Sequence, residues 1–342
     1  MINFNFFKGN SFGIDLGNNN TLVSSQDGIL LSQPSYIAFH VESNRVNAVG
    51  DKAYSMFEKT HDHLKSLKPL RGGVIADFDS ACKMMREMLS QVFLNKSFFR
   101  GYDTIISGVP FSTTEVERRA LRSALGQFHA RRTYLLFEPL AAALGMGLNI
   151  HEPDGKMVVD IGGGITEIVV ISLSGIAAFE SVRVAGDTFD GEIQDHFRRS
   201  YNMAIGLKTA EQIKIAVGAV TNNLEDIPEM MNVKGKDLME GIPVTRQVGY
   251  QEVASVLEKS IQVIENTILQ TLETCSPELA SDIYENGIYL TGGGALLRGI
   301  KERFELKFKV PIHIDMYPLT SVSTGVGSVL SATKQLGSVL FE

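Results

Sequence analysis

Residues 157–166 decide the fold and read Met-Val-Val-Asp-Ile-Gly-Gly-Gly-Ile-Thr. A short apolar run ends at Asp160, a glycine turn follows, and Thr166 opens a second apolar run. Because glycine adopts backbone angles that other residues avoid, the pattern predicts a β-hairpin with an aspartate just before its turn. One such pattern alone is typical of a plain hairpin, so its meaning depends on the rest of the chain.

A second copy of this pattern lies near the start of the chain. Residues 12–23 read Phe-Gly-Ile-Asp-Leu-Gly-Asn-Asn-Asn-Thr-Leu-Val. The aspartate (Asp15), the first turn glycine and the threonine each lie 145 positions before their counterparts in the other segment. Three matches in register predict two copies of one hairpin unit, one in each of two domains.

Strand and helix patterns alternate along the remaining sequence. Buried strands are predicted at 104–110, 134–137 and 288–290, and helices at 209–219 and 250–273. Ser112 and Glu115 have the spacing of a capping box, which predicts a helix start there. Alternating strands and helices indicate an α/β protein, and 342 residues suit two such domains.

Composition limits the classes of function. The net charge of −7 argues against nucleic acid as a partner. Two cysteines, Cys82 and Cys275, are too few for a disulfide framework or a zinc site and fit a reducing compartment. No run approaches the roughly 20 apolar residues of a spanning helix. We therefore expect a cytoplasmic protein that is soluble or peripheral at a membrane.

The two hairpin turns predict an anion site. The chain lacks a G-x-x-x-x-G-K-[ST] loop, and no G-x-G-x-x-G follows its first strand. Backbone N–H groups of tight glycine or asparagine turns can instead cradle phosphate. Asp15 and Asp160 precede these turns and could hold Mg²⁺ mostly through water, because Mg²⁺ retains several waters when bound.

The motifs together resemble the MreB family of bacterial actins, in the superfamily of actins, heat-shock chaperones and sugar kinases. Matching segments run in family order from residue 12 to residue 327, and TAEQIKI (209–215) and LTGGGALLRG (290–299) are among the most specific. The resemblance implies an actin-like fold of two similar α/β domains, each with a smaller subdomain, and a nucleotide in the cleft between them. The first domain would span 1–150 and take in about 320–342, with its subdomain at about 34–76. The second would span 151–319, with its subdomain at about 186–249.

The resemblance also implies the roles of individual residues. Glu138 would orient the water that attacks ATP, and Asp15 and Asp160 would hold Mg²⁺. The residues expected to contact the nucleotide are Asn18, Asn19, Asn20, Gly162, Gly163, Gly164, Glu211, Gln212, Ile213, Lys214, Gly292, Gly293, Gly294, Ala295 and Leu296. The family usually has Thr-Ala-Asn in the first loop, arginine at the position of Gln212, and threonine where this chain has Ile165.

The function implied is an ATP-binding protein that forms a homopolymer, with paired protofilaments, on the inner face of the cytoplasmic membrane. It would organise cell-wall synthesis together with envelope morphogenesis proteins and hydrolyse ATP slowly. Because Ile165 can neither donate nor accept a hydrogen bond, a non-hydrolysing scaffold or a paralogue for another envelope or motility process is the alternative. A sugar kinase would need a substrate pocket in the first domain. A chaperone-like ATPase would need a peptide-binding domain, which we do not expect here.

Membrane contact is predicted at Phe98 and Phe99. In the family an exposed hydrophobic loop at this place enters the membrane, and Lys96 and Arg100 beside the rings suit anionic headgroups. The N-terminal residues Phe4, Phe6 and Phe7 could form a second, weaker anchor. The alternative is that these rings complete a local core, as aromatic side chains usually do.

Overall fold

The structure is a computed structural model that describes residues 11–93, 102–332 and 336–341. The chain forms two compact units, Met1–Asn149 with Thr320–Glu342 (unit 1) and Ile150–Leu319 (unit 2). The predicted membrane residues Phe98 and Phe99, like the N-terminal phenylalanines, lie outside the described residues. Their roles stay predictions.

The described part of unit 1 begins with the first of the two predicted hairpins. Its elements before residue 150 are β1 (Phe12–Leu16), β2 (Asn20–Ser25), β3 (Gly28–Pro34), β4 (Ile37–His40), β5 (Val46–Val49), α1 (Asp51–Met56), β6 (Leu64–Leu67), β7 (Leu70–Arg71), β8 (Val74–Ile75), α2 (Phe78–Val92), β9 (Thr104–Val109), α3 (Glu115–Gly126), β10 (Arg132–Phe137) and α4 (Glu138–Gly145).

Unit 2 begins with the second predicted hairpin. Its elements are β11 (Lys156–Ile161), β12 (Thr166–Ser172), β13 (Gly175–Val182), α5 (Gly186–Tyr201), β14 (Met203–Ala204), α6 (Leu207–Val217), β15 (Met231–Asp237), β16 (Pro243–Val248), α7 (Tyr250–Thr274), α8 (Pro277–Asn286), β17 (Ile288–Thr291), α9 (Ile300–Phe308) and β18 (Ile312–Ile314). The chain then returns to unit 1 with α10 (Ser321–Ser331) and a 3-10 turn at Gly337–Val339.

The main sheets of the two units have the same topology. In unit 1 the strand order is β10-β9-β1-β2-β3, and in unit 2 it is β18-β17-β11-β12-β13. In each sheet the hairpin pairs antiparallel, β1 with β2 and β11 with β12. The first hairpin strand also pairs parallel with a later strand, β9 or β17. The predicted pair of hairpins is confirmed, and each hairpin lies at the centre of an α/β sheet.

Each unit has its own hydrophobic core. In unit 1 the first hairpin strand packs its apolar side chains, such as Phe12 and Ile14, against methionines of α2. In unit 2 the apolar side chains of β11 and β12 pack with those of α5 and α7, including Phe189 and Ile261. Strands buried on both faces read as continuous apolar runs, which is why the two hairpins stand out in the sequence. Asp15 and Asp160 interrupt these runs, because Leu16 and Ile161 directly after them are buried core residues.

The predicted capping box is wrong in its position. Helix α3 begins at Glu115, and its N-cap is Thr114, which accepts a hydrogen bond from the backbone N–H of Glu117. The Glu117 carboxylate in turn accepts from the Thr114 backbone N–H at 2.7 Å. Thr113 belongs to the turn after β9, where its hydroxyl donates to the Pro110 carbonyl. The helix therefore starts two residues later than the Ser112–Glu115 pattern predicts.

Within the described ranges, no helix is long and apolar enough to cross a lipid bilayer.

Candidate functional site

The first loop, between β1 and β2, is held by a buried serine. The backbone N–H of Ser35 donates to the Asn19 carbonyl at 2.8 Å, and its hydroxyl donates to the Gly17 carbonyl at 2.6 Å. The Thr21 hydroxyl lies 2.8 Å from the same serine hydroxyl, and both side chains are fully buried. Hydrogen bonds in such a buried network are difficult to break. The loop backbone is therefore fixed before any ligand arrives.

The three asparagines of this loop have different environments. Asn18 is buried, and its amide oxygen accepts from the Gly73 backbone N–H at 3.4 Å. Asn19 is half-buried, and its amide oxygen accepts from the Lys68 ammonium at 2.5 Å. Asn20 is exposed at the start of β2. The buried side chain of Asn18 thus makes a contact within unit 1, whereas Asn19 and Asn20 lie where a ligand can reach them.

Glu138 is the first residue of α4 and follows β10 directly. Pro139 occupies the first turn of that helix, where a missing N–H costs nothing. A Cβ at Gly108 of the neighbouring strand would lie 3.3 Å from Glu138 Cγ and 3.6 Å from its Oε1. Glu138, Gly108, Leu16 and Gly73 line a small pocket in unit 1. The predicted water-orienting carboxylate therefore faces a pocket beside the end of β1.

The second loop, Gly162–Gly164, is held by the first turn of α5. The N–H of Gly186 donates to the Gly162 carbonyl at 3.1 Å, and the N–H of Asp187 donates to the Gly163 carbonyl at 2.7 Å. The N–H of Gly162 closes the turn on the Ile165 carbonyl. These contacts use the Gly162 and Gly163 carbonyl groups and the N–H of Gly162. They leave a glycine turn of the kind whose N–H groups bind anions.

Lys214 on α6 lies beside this loop. Its ammonium donates to the Gly186 carbonyl at 3.1 Å and forms an ion pair with Asp190 at 2.8 Å. A Cβ at Gly186 would lie 3.4 Å from both the Gly162 carbonyl oxygen and Lys214 Nζ. The resemblance implies that Lys214 contacts the nucleotide. In the structure its ammonium lies at Gly186, which contacts the second loop. Asp190 was not among the predicted site residues.

The third glycine run, Gly292–Gly294, contacts β11 closely. Gly292 has φ +78° and ψ 168°, a backbone region that essentially only glycine adopts. A Cβ there would lie 2.3 Å from Asp160 Oδ1 and 2.4 Å from the Ile161 carbonyl oxygen. At Gly294 a Cβ would lie 2.1 Å from Ile161 Cγ2. The absence of side chains therefore lets this turn lie directly against Asp160.

Burial raises the pKa of the Asp160 carboxyl to about 6. A buried carboxylate that lacks a nearby cation favours its neutral form, and a bound divalent cation reverses that preference. Among the described residues no cluster of three or more His, Cys, Asp or Glu side chains could hold a metal ion. Mg²⁺ bound by one or two carboxylates, phosphate oxygens and water needs no such cluster. The role of Asp15 and Asp160 as Mg²⁺ ligands stays a prediction.

The residues predicted to contact the nucleotide from α6 and from the turn after β17 differ in the burial of their side chains. Ile213 and Ala295 have fully buried side chains in unit 2, and Ile213 belongs to the core. Gln212 and Leu296 are exposed, and Glu211 is half-buried. The residues that sequence reasoning missed are Ser35, Lys68, Gly186 and Asp190. Gly186 and Asp190 lie in the segment VRVAGDTFD (182–190), which resembles the family. That resemblance could have marked both residues as part of the site.

Asp190 gives a pH-dependent prediction. Burial raises its pKa from 3.8 to about 6, although the attraction of Lys214 opposes that rise. Between pH 4 and pH 6 the folded chain therefore holds a proton that the unfolded chain has lost, and stability falls as pH rises through this window. Wild type should gain unfolding free energy relative to Asp190→Asn as pH falls from 6 to 4.

Chemical denaturation across pH 4–7 measures this difference. Asp195→Asn is the control, because Asp195 is an exposed residue of the same helix and pairs with Arg199. Parallel pH profiles for wild type and Asp190→Asn would contradict the prediction.

Comparisons with known proteins show which family has this sequence and this architecture. The sequence profile described as MreB/Mbl protein matches residues 9–338. The chain is 40% identical over 337 residues to the cell shape-determining protein MreB of Escherichia coli K12, covering 97% of this chain and 96% of that protein. A crystal structure of MreB5 of Spiroplasma citri bound to AMPPNP has a TM-score of 0.90 at 33% identity, covering 96% and 98% of the two chains.

A structure of MamK in a double helical filament also shares the fold. Its TM-score is 0.78 at 19% identity, covering 95% of this chain and 98% of that one. With the paired hairpins and matching sheets, these likenesses define an actin-like protein. The chain belongs to the MreB/Mbl family.

Proposed function

We propose that this chain is an ATP-binding, filament-forming, cell shape-determining protein of the MreB type. The observation that carries the proposal is the pair of aspartate-containing loops, each at the centre of a sheet with the same strand order. Two fixed loops with an aspartate before each turn suit a ligand that brings several phosphates and Mg²⁺.

ATP is the nucleotide that we propose. The related MreB5 of Spiroplasma citri is described bound to AMPPNP, an ATP analogue. In this chain the backbones of residues 17–20 and of residues 162–164 would bind phosphate, and Asp15 and Asp160 would hold Mg²⁺ through water. The turn Gly292–Gly294 and the α6 residues Glu211 and Lys214 would border the rest of the nucleotide.

Slow hydrolysis is the activity that we propose for the bound nucleotide. In phosphoryl transfer a protein mainly positions the reactants and neutralises charge, so one oriented water and a metal can be enough. Glu138 would orient that water from the start of α4. The Ile165 carbonyl accepts from the Gly162 N–H, but its side chain has no hydroxyl that could hold the same water. A non-hydrolysing scaffold is therefore the second candidate, and phosphate release distinguishes the two.

Self-assembly is the second part of the proposal. MamK, which shares the fold, is described as a double helical filament, and the relative from Escherichia coli is named for determining cell shape. We propose that Mg-ATP drives this chain into a homopolymer of paired protofilaments. High-speed sedimentation followed by electron microscopy tests this. Filaments in the pellet with Mg-ATP support it, whereas a protein that stays in the supernatant at every concentration would contradict it.

We propose that the filament lies on the inner face of the cytoplasmic membrane. There it would organise cell-wall synthesis with envelope morphogenesis proteins. The support is the sequence Phe98-Phe99 flanked by Lys96 and Arg100. Each well-buried ring would contribute roughly 2 kcal/mol, so a single subunit would bind weakly. A filament that presents many such loops would bind strongly by multivalency, which couples assembly to attachment.

The double variant Phe98→Ser with Phe99→Ser should lose most of its co-sedimentation with anionic liposomes. Its ATP affinity should be unchanged, because the substitutions remove only the apolar contribution to membrane binding. Phe179→Ser is a matched control, since Phe179 is a partly exposed phenylalanine of unit 2. Full co-sedimentation of the double variant would move the membrane contact to Phe4, Phe6 and Phe7.

A further inference from the structure

Lys68 lies between β6 and β7 of unit 1, next to the first loop. Its ammonium donates to the amide oxygen of Asn19 at 2.5 Å. The same ammonium lies 5.5 Å from the centre of the Tyr36 ring, which is buried. A cation over an aromatic face is attracted by the ring quadrupole. Lys68 is thus placed by two contacts and directed at the loop.

The residue that contacts Lys68 and the residue that holds the first loop are adjacent in sequence. Tyr36 follows Ser35, whose N–H and hydroxyl hold the Asn19 and Gly17 carbonyls. One short segment therefore fixes the backbone of the loop and also supports the cation that binds the Asn19 side chain. The arrangement sets both the backbone and the side chain of Asn19.

The chemistry of the contact sets the direction of the amide. An ammonium has only donors, so the oxygen of the Asn19 amide must face Lys68. The two N–H donors of that amide then face away from the ammonium. Asn19 is half-buried in a loop whose carbonyl oxygens at Gly17 and Asn19 are already bound to Ser35. An amide fixed in this direction is ready to donate to an anion.

We propose that Lys68 is a positioning residue for the first loop. It holds Asn19 with the amide N–H groups available as donors to a phosphate oxygen of the bound nucleotide. The inference rests on the proposed nucleotide binding. It adds that the contact between Lys68 and Asn19 orients a phosphate-binding side chain of this loop. In this arrangement Lys68 acts through Asn19, and its charge does not need to touch the phosphate.

A double-mutant cycle tests the inference in the full chain with Mg-ATP as the probe. Lys68→Met keeps an unbranched side chain over Tyr36 and removes the ammonium, and Asn19→Ala removes the amide. Each single variant should bind Mg-ATP about tenfold more weakly, the loss expected for one hydrogen bond to a charged group. Because both remove the same interaction, the double variant should be no weaker than either single variant.

Lys65→Met is the matched control, because Lys65 is an exposed lysine of the adjacent strand β6. Its Mg-ATP affinity should equal that of wild type. A purely structural role would instead lower the melting temperature of Lys68→Met without nucleotide and leave the Mg-ATP affinity of the folded protein unchanged. Lys68→Ala, taken through the same cycle, should show the same non-additivity and serves if the methionine variant does not fold.

Two results would overturn the inference. An unchanged affinity of Lys68→Met would remove Lys68 from the site. A double variant about a hundredfold weaker than wild type would show that Lys68 acts on the nucleotide independently of Asn19. Both results require a wild type that binds Mg-ATP. A wild type that does not bind would instead contradict the proposed function, and this inference with it.

Discussion

Gly292→Ala is expected to unfold or disable unit 2. The new Cβ would lie 2.3 Å from Asp160 Oδ1 and 2.4 Å from the Ile161 carbonyl oxygen, and both are parts of the central strand β11. The backbone at φ +78° and ψ 168° is also closed to alanine. Overpacking and backbone strain together should lower the unfolding free energy by about 3 kcal/mol or more. Any protein that still folds should bind Mg-ATP at least about tenfold more weakly, because Asp160 must move.

Gly191→Ala is the matched control in the same unit. Gly191 lies inside helix α5, and a Cβ there would meet no atom within 4 Å. Alanine in a helix interior is favoured over glycine by roughly 0.5–1 kcal/mol, so this variant should be slightly more stable than wild type. Urea denaturation of both variants measures the difference. A Gly292→Ala protein as stable as wild type would show that the contact between Gly292 and Asp160 is not tight.

Glu138→Ala is expected to separate hydrolysis from binding. Removing a group that orients water affects the transition state more than the ground state. Phosphate release at saturating Mg-ATP should therefore fall by about a hundredfold, whereas the dissociation constant should change little. Glu87→Ala is the control, because Glu87 is an exposed carboxylate on α2 of the same unit. A comparable loss of binding and turnover would assign Glu138 a structural role.

The central hairpins could be predicted from the sequence because their determinants are local. An apolar run, an aspartate and a turn of glycine or asparagine define each hairpin within about a dozen residues. The capping box at α3 failed for a local reason as well. Thr113 and Thr114 both follow Ser112, and only the backbone turn after β9 decides which hydroxyl faces the free N–H groups.

The polar contacts around the loops could not be predicted because they join distant parts of the chain. Lys68 and Asn19 are 49 positions apart. Lys214 reaches the Gly186 carbonyl across 28 positions. A lysine in a polar stretch and an aspartate on a helix have no local pattern that marks them as partners. Only the packing of the sheets and helices brings them together.

The central claim is that this chain binds Mg-ATP, and the most direct test is its melting temperature with and without that ligand. A ligand at one hundred times its dissociation constant stabilises the folded state by about 2.7 kcal/mol, which corresponds to a rise of about 4 °C for a chain of 342 residues that unfolds in one transition. Mg-ATP should produce this rise, and Gly292→Ala, if folded, should show a much smaller one. An unchanged melting temperature of wild type in millimolar Mg-ATP would contradict the account.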